Sequence, residues 1–327
     1  MKRSKIDRIA VLCSGGDSSG MNPCIRAVVR SAVYYGMEVQ GVLRGYQGLM
    51  QGRFVPMDAR SVSNILNRGG TMLKTSRCPA FRRKTGRRRA IKQLEAADIQ
   101  GLVVIGGDGS FQGAYQLMQE SGLKVVGIPG TIDNDVAGTD YTIGYDTAMN
   151  VATEALDKIR DTAASHDRIF FVEVMGREAG YLALQVAVAA GAEAVLIPEV
   201  PTDLDRLTDE LRRGRERGKT SSVVVVAEGD DAGGALDIAK AVEERLQVRC
   251  RTTILGHLQR GGSPTTLERV NASRLGLAAV RELRKGNSGV MVGLIGEQIR
   301  VSPLGRAWKR KRPISRELLD LNEILAT

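Results

Sequence analysis

The 327-residue chain is poor in the residues on which several protein classes depend. Its four cysteines, Cys13, Cys24, Cys78 and Cys250, form no C-x-x-C pair and no His-bearing metal spacing, which argues against a disulfide-stapled fold or a zinc module and fits a reducing cytoplasm. Five Phe, seven Tyr and one Trp leave few stacking platforms for single-stranded nucleic acid. No stretch approaches the roughly 20 apolar residues of a membrane helix. The apolar run in the N-terminal MKRSKIDRIAVLCSGGD, about five residues before glycine, is too short for a signal h-region. There is no fixed-period repeat and no long Pro- or Ser-rich linker.

Apolar residues at 43% and charged residues at 26% are ordinary globular values. The length is about twice that of a usual domain, so two lobes joined by short crossings are expected. Lys and Arg total 47 against 37 Asp and Glu, a net charge of +10 that invites a nucleic-acid reading. Location weakens it. Residues 82–89 (RRKTGRRR) hold six cations and no anion, and Arg306, Lys309, Arg310, Lys311 and Arg312 form a second run. Outside these runs the chain is close to neutral, so they read as a solvated loop and tail.

Short β-branched apolar runs alternate with helix-patterned segments almost from end to end, the signature of a parallel α/β fold. Strands are expected at Ile9–Cys13, Leu102–Ile105, Val125–Ile128, Ile169–Val174, Ala194–Ile197, Val223–Ala227, Thr252–Leu255 and Val290–Ile295. They lack polar alternation, as strands covered on both faces do. The first helix is expected to start with Asn22 as cap and Pro23 at the first helical position, and to stop at Gly36.

In parallel sheets ligands bind beyond the carboxyl ends of the strands, so the residues just after each strand carry the most information. After the first strand, Gly15 and Gly16 in SGGDSSGMN suit either a phosphate approached by backbone amides or a plain tight turn. In VVIGGDGS, Asp108 lies between glycines ahead of a helix. A magnesium ligand is favoured over a helix cap there, because a cap does not need glycine on both sides. The loop PGTIDNDVAGTD carries Asp133, Asp135 and Asp140, which suit proton and metal handling in phosphoryl transfer or a solvated acidic turn. VEVMGREAG, VVVVAEGDD and LGHLQRGGSP add Arg177, Glu228, His257 and Arg260, a set able to hold a phosphorylated polyol.

Taken together and in order, SGGD, GGDGS, PGTIDND, VMGR and GHLQRGGSP resemble the bacterial 6-phosphofructokinase family over nearly the whole chain. The resemblance implies two Rossmann-like lobes with mostly parallel sheets sandwiched by helices and an active site in the cleft between them. The larger, ATP-binding lobe is expected at 1–143 plus 258–307, and the smaller, fructose 6-phosphate lobe at 144–257 plus 308–327. It implies transfer of the γ-phosphate of magnesium ATP to the 1-hydroxyl of fructose 6-phosphate, the committed step of glycolysis. Asp133 would be the general base, supported by Thr131, Asp135 and Arg177. Gly15, Gly16, Arg77, Cys78, Gly107, Asp108, Gly109 and Ser110 would line the ATP site, with Asp108 on Mg2+. The sugar phosphate would meet Thr131, Ile132, Asp133, Met175, Gly176, Arg177, Glu228, His257, Leu258, Gln259 and Arg260, with Arg168 and Arg251 supplied by a neighbouring subunit of a homotetramer.

The resemblance also implies ADP or GDP as activator and phosphoenolpyruvate as inhibitor, at Arg26, Arg30, Arg60, Arg160, Gly191, Glu193, Arg217 and Lys219. The family arginine before the SVS segment falls here on Ala59, one place before Arg60. Pyrophosphate-dependent relatives usually carry Asp where this chain has Gly109 and Lys where it has Gly130, so ATP is the expected donor and pyrophosphate the alternative. A basic nucleic-acid-binding protein is the alternative from another class. The chain is expected to be cytoplasmic, with neither nucleic acid nor membrane as partner.

Overall fold

A computed structural model describes residues 6–310 and 312–326. In chain order the elements are β1 (Arg8–Ser14), α1 (Met21–Tyr34), β2 (Glu38–Val42), α2 (Gly45–Met50), β3 (Phe54–Met57), α3 (Lys84–Ala96), β4 (Gly101–Gly106), α4 (Asp108–Ser121) and β5 (Lys124–Pro129). There follow α5 (Tyr145–Ser165), β6 (Ile169–Val174), α6 (Tyr181–Ala190), β7 (Ala194–Leu196), α7 (Leu204–Glu216), β8 (Ser222–Ala227), α8 (Ala235–Leu246) and β9 (Cys250–Ile254). The chain ends with α9 (Thr266–Arg284), β10 (Val290–Ile295), β11 (Gln298–Pro303), α10 (Arg306–Lys309) and α11 (Arg316–Leu325). Two units result: Met1–Thr131 with Val136–Thr147 and Arg260–Arg312, and Ile132–Asp135 with Ala148–Gln259 and Pro313–Thr327. The expected crossings lie at 143/144, 257/258 and 307/308.

Unit 1 is built on a seven-stranded sheet, β11-β10-β5-β4-β1-β2-β3. The pairs among β10, β5, β4, β1 and β2 are parallel, whereas β3 and β11 run antiparallel at the two edges. Side chains of β1 alternate between two cores. Ile9, Val11 and Cys13 pack with α1 and α9, while Ala10 and Leu12 pack with Phe111 and Leu117 of α4. All five are fully buried, which is why the run shows no polar alternation. Each large aliphatic side chain so buried contributes about 1.5–3 kcal/mol. Close packing of α1 on α9 requires Gly276, where a Cβ would lie 2.6 Å from the Ala27 Cβ and 2.9 Å from the Cys24 carbonyl oxygen.

Unit 2 carries a four-stranded, all-parallel sheet, β7-β8-β6-β9. Its inner strands β6 (IFFVEV) and β8 (SVVVVA) are short and Val/Ile/Phe-rich, and every residue of β8 is buried. Phe171, Val224 and Val226 form one core with Leu207 and Leu211 of α7 and Ile238 and Val242 of α8.

Two local expectations are corrected. Asn22 does not cap α1, because Gly20 precedes the first helical residue, Met21. Its side chain instead pins the following loop, donating to the carbonyls of Arg68 (3.0 Å) and Gly69 (3.1 Å) and accepting from Met72 N–H (2.7 Å). The run at 82–89 is not a solvated loop, since α3 starts at Lys84 and Arg87 is 8% exposed. Arg87 binds Glu120 (2.7 Å) and the carbonyls of Phe81 (3.2 Å) and Arg82 (2.6 Å), an internal brace between α3 and α4. In the second cationic run Arg312 donates to the Asp140 carbonyl (2.7 Å), while Lys311 lies outside the described residues. No helix among the described residues is long and apolar enough to cross a membrane.

Candidate active site

On unit 1 the carboxyl ends of β1 and β4 meet. Gly15, directly after β1, has φ of +96°, a conformation that glycine adopts without strain. Ser110 in the first turn of α4 is buried and donates its hydroxyl to Ser14 O (3.0 Å) and Ser14 Oγ (2.9 Å), tying the start of α4 to the end of β1. Gly106 has to be glycine for this approach, because a Cβ would sit 2.5 Å from Ser14 O. Thr75 Oγ1 donates to Gly15 O (2.9 Å), and the buried Tyr46 hydroxyl donates to Ser110 O (2.5 Å). Tyr46 also stacks on Phe81 with centroids 4.0 Å apart, and burial pushes its phenol far up, so it acts here as a neutral donor. Neither Thr75 nor Tyr46 lies in a recognisable motif, and sequence reasoning passed over both.

Gly107, not Asp108, is the N-cap of α4, and it makes no side-chain cap hydrogen bond. The Asp108 carboxylate therefore stands half-buried at the positive end of the helix without being spent on a cap. Gly109 is exposed, and a Cβ there would meet nothing within 4 Å. A Cβ on Gly107 would come within 3.8 Å of Thr131 Cβ, so Thr131 borders the same turn. Its backbone carbonyl accepts from the Thr142 hydroxyl (2.5 Å). Arg77 is exposed, and Cys78 is half-buried with its sulfur 3.9 Å from Met50 Sδ. Arg260 belongs with this group, since its Nη1 donates to Asp17 O (3.0 Å) and would lie 2.5 Å from a Cβ on Gly16.

On unit 2 the carboxyl ends of β6 and β8 converge on an unusual backbone. Gly176 and Arg177 both have positive φ, +152° and +53°, as does Asn134 at +52°. A non-glycine residue in this region carries strain that surrounding contacts must hold. For Arg177 they are visible. Its N–H donates to Glu228 Oε1 (3.1 Å), and its carbonyl sits where a Cβ on Gly229 would be 1.9 Å away. The Arg177 Nε lies 3.5 Å from Asp133 Oδ2, with Asp133 2% exposed and the arginine side chain half exposed. Met175 N–H donates to Gln259 Oε1 (3.4 Å), and Gln259 is held by the Gly256 carbonyl (3.2 Å). Thus Asp133, Met175, Gly176, Arg177, Glu228 and Gln259 come together through named contacts. Ile132 and Asn134 are buried, Asp135 is half-buried, and His257 and Leu258 are exposed on the 3-10 turn Gly256–Arg260.

Other residues of the expected set lie elsewhere. Arg168 precedes β6, and Arg251 sits at the start of β9, where it pairs with Phe170. Both are at the amino ends of their strands, about 20 Å along β6 from Met175–Arg177. Asp140 falls on unit 1 and holds the β10–β11 turn through Gly296 N–H (2.8 Å). Of the effector candidates, Arg26, Arg30 and Arg60 are on unit 1, where Arg30 donates to Ala59 O (3.4 Å). On unit 2, Arg160 and Lys219 converge on Glu193 (3.4 and 3.2 Å), and Arg160 also reaches the carbonyls of Ala190 (3.0 Å) and Gly191 (2.6 Å). Arg217 is exposed. Burial raises the thiol pKa of Cys13 and Cys250 to about 12 and that of Cys24 well above its ordinary value, so none of the three is a thiolate at neutral pH.

A family model described as phosphofructokinase matches residues 8–283. The chain is 55% identical over 319 residues to ATP-dependent 6-phosphofructokinase 1 of Thermus thermophilus, covering 98% of this chain and 99% of that protein. It is 49% identical over 319 residues to ATP-dependent 6-phosphofructokinase of Cytophaga hutchinsonii, covering 97% of each. Among solved structures, phosphofructokinase from Saccharomyces cerevisiae superposes with a TM-score of 0.89 at 36% identity over 98% of this chain. That match takes in 48% of the yeast chain, so this chain spans about half its length. A pyrophosphate-dependent phosphofructokinase from Marinobacter aquaeolei shares the fold, with a TM-score of 0.82 at 22% identity over 98% of this chain and 92% of that one. With the family match spanning most of the chain and half-identical relatives covering nearly all of it, the chain belongs to the phosphofructokinase family.

Proposed function

We propose that the protein transfers the γ-phosphate of ATP to the 1-hydroxyl of fructose 6-phosphate, releasing ADP and fructose 1,6-bisphosphate. The observation that carries this reading is the Asp133–Arg177 pair, a buried carboxylate 3.5 Å from a guanidinium whose strained backbone Glu228 and Gly229 hold. Asp133 takes the proton from the attacking hydroxyl, and Arg177 and Thr131 neutralise charge on the phosphoryl group in flight. Ile132 and Asp135 support the Asp133 loop. Met175, Gly176, Glu228, His257, Leu258 and Gln259 orient the sugar phosphate, and Arg260 adds a cation from the 256–260 turn.

The Gly15–Gly16 turn, Arg77, Cys78 and the Gly107–Ser110 helix start bind ATP. Asp108 fits as a magnesium ligand, because its carboxylate is half-exposed, free of any capping role and flanked by glycines. Among the described residues no three His, Cys, Asp or Glu side chains gather as a metal cage, so the remaining ligands are phosphate oxygens and water. When bound, the cation neutralises charge on the polyphosphate. Open space at Gly109 supports ATP over pyrophosphate as donor.

Arg168 and Arg251, at the opposite end of the sheet from Arg177, serve the site of another copy, which makes the enzyme an oligomer and in our reading a homotetramer. Arg26, Arg30 and Arg60, with Arg160, Gly191, Glu193, Arg217 and Lys219, bind ADP or GDP as activator and phosphoenolpyruvate as inhibitor. The enzyme works in the cytoplasm, with neither nucleic acid nor membrane as partner.

The test is a coupled assay of fructose 1,6-bisphosphate formation with magnesium, run with ATP and with pyrophosphate and repeated with ADP and phosphoenolpyruvate. Turnover with ATP alone is expected, with sigmoidal dependence on fructose 6-phosphate that ADP relieves. Turnover with pyrophosphate but not ATP overturns the donor, and hyperbolic curves unaffected by ADP or phosphoenolpyruvate overturn the effector site.

A further inference from the structure

The two cationic runs, far apart in the sequence, meet on one face of unit 1. Ala90 and Leu94 of α3, Phe111, Ala114 and Leu117 of α4, and Ala307 of α10 bury into the same core as Ala10 and Leu12 of β1, so the three helices form one layer over the sheet. α4 holds the other two. Arg87 and Glu120 brace it to α3 (2.7 Å), and its Tyr115 packs edge to face on Trp308 of α10, with centroids 5.8 Å apart. Lys84 and Arg88 also lie near the brace: after the Arg87 hydrogen bond, their charges help to hold the Glu120 carboxyl below its ordinary pKa.

The outer surface of this layer carries charge of one sign. Arg83, Lys84, Arg88, Arg89 and Lys92 are exposed along α3, and Arg306, Lys309 and Arg310 are exposed at α10. Among the described residues none of these side chains makes a hydrogen bond or ion pair. Between the two banks α4 exposes Gln112, Gln116 and Gln119, which carry no charge. Glu120 is already engaged by Arg87, and Glu95 and Asp98 stand at the carboxyl end of α3. The field of the two banks therefore goes unmatched within the layer and draws an anionic partner.

We infer that this face docks an acidic polypeptide segment of a partner protein, with its carboxylates on the α3 and α10 cations and an apolar side chain over Tyr115 and Trp308. Charge complementarity sets the sign of the partner. Size sets its form: α3 is about 20 Å long and neighbouring helices lie about 8–10 Å apart, so the patch measures roughly 20 Å by 20 Å. That is half of the roughly 800 Å² that a stable domain interface takes from each partner, and it suits an extended segment. Chemistry separates the partner classes. Tyr115 and Trp308 are half-buried and packed on each other, an aromatic anchor among arginines of the kind protein interfaces favour, rather than open ring faces on which bases stack. No large apolar side chain is exposed on α3, α4 or α10, so the face has no wedge for a lipid surface. The inference goes beyond the phosphoryl transfer proposed above and does not depend on it.

The test is binding of a fluorescein-labelled, Glu-rich peptide with one central Phe to the full-length protein at low salt; about ten residues suffice, since they span roughly 30 Å when extended. Trp308 is the chain's only tryptophan, so its emission should shift as the peptide's anisotropy rises, and both changes should saturate and fade at high salt. Arg88→Gln with Arg89→Gln, and separately Lys309→Gln with Arg310→Gln, should each weaken binding about three- to thirtyfold. The exposed unit 2 pair Arg213→Gln with Arg249→Gln removes the same charge and should leave binding unchanged. Replacing the peptide's Phe by Ser should weaken binding about three- to tenfold, through lost partial burial. Equal weakening by the unit 2 pair would reduce the effect to net charge and overturn the inference, as would loss with only one of the two cationic runs or an unmoved Trp308 emission. Polyuridylate or phosphatidylserine vesicles binding more tightly than the peptide through the same cations would overturn the choice of partner.

Discussion

Substitution of Gly109 by Asp tests donor choice through a site that imposes no packing cost. A Cβ at 109 meets nothing within 4 Å, the position is exposed, and it is the second residue of α4. A carboxylate there complements the helix dipole by about 0.3–1 kcal/mol and replaces the poorest ordinary helix former. The melting temperature should therefore hold or rise slightly. The substrate effect has the opposite sign. Two unit charges about 5 Å apart at an effective dielectric near 20 repel by about 3 kcal/mol, and exposure and magnesium reduce this to roughly 1.5–3 kcal/mol.

Gly109→Asp should then lower kcat/KM for ATP by about ten- to 150-fold, with kcat/KM for fructose 6-phosphate at saturating ATP much less affected. Pyrophosphate turnover should not appear, because position 130 is unchanged. Nor is Gly130 open in the same way: a Cβ there would lie 3.0 Å from Ile105 Cγ2 and 3.5 Å from Met21 Cε, so Gly130→Lys alone should cost about 1–3 kcal/mol of stability. Steady-state kinetics with both donors, alongside thermal melts, give the answer. A folded Gly109→Asp enzyme whose kcat/KM for ATP stays within about threefold of wild type would refute the electrostatic argument.

Three further outcomes are expected. Asp133→Asn preserves shape but removes the base, so kcat should fall about 10²- to 10⁴-fold while circular dichroism is unchanged; near-wild-type turnover would remove Asp133 from its role. Arg87→Met strands Glu120 and two carbonyls in a little-exposed place and should cost about 3–5 kcal/mol in urea unfolding, whereas exposed Arg83→Met should stay within about 0.5 kcal/mol. Glu268, buried at the start of α9 beside Thr147 and Asp146, has its pKa raised by burial from 4.5 to about 7. The native state therefore keeps a proton that the unfolded chain releases, and stability from this group declines as pH rises from about 4.5 to about 7. Against Glu268→Gln, wild type should lose up to about 3 kcal/mol across that window and run parallel above it, as read from urea midpoints; parallel curves throughout would contradict the shift.

The central strands were legible because each of their residues is committed to one of two cores. Ile9–Cys13 and Val223–Ala227 carry no solvent face, and a pure β-branched run is the signal of that condition. β2 (EVQGV) and β3 (FVPM) escaped because they lie toward an edge: Pro56 is tolerated only where a strand need not donate on both sides, and Gln40 and Gly41 break the apolar run. Asn22 shows a different limit. Beside Pro23 it reads as a cap in the sequence, but the helix already begins at Met21, and the loop at 68–72 claims the side chain. The candidate site divides along the same line. Motifs placed Gly15, Asp108, Asp133 and Arg177 at strand ends, but Thr75 and Tyr46 act through single hydrogen bonds to backbone carbonyls, a role that leaves no spacing to read. Arg168 and Arg251 are the sharpest case, set apart from Arg177 in the sequence only by the resemblance, which assigns them to a neighbouring subunit. As arginines near strands they look equivalent to Arg177, yet in a parallel sheet the two ends of a strand are chemically different places, and these two occupy the amino ends. An arginine there cannot share a ligand with Arg177 across the length of β6. If both bind the same sugar phosphate, a second copy of the chain must bring them together, and oligomerisation becomes a requirement of the chemistry.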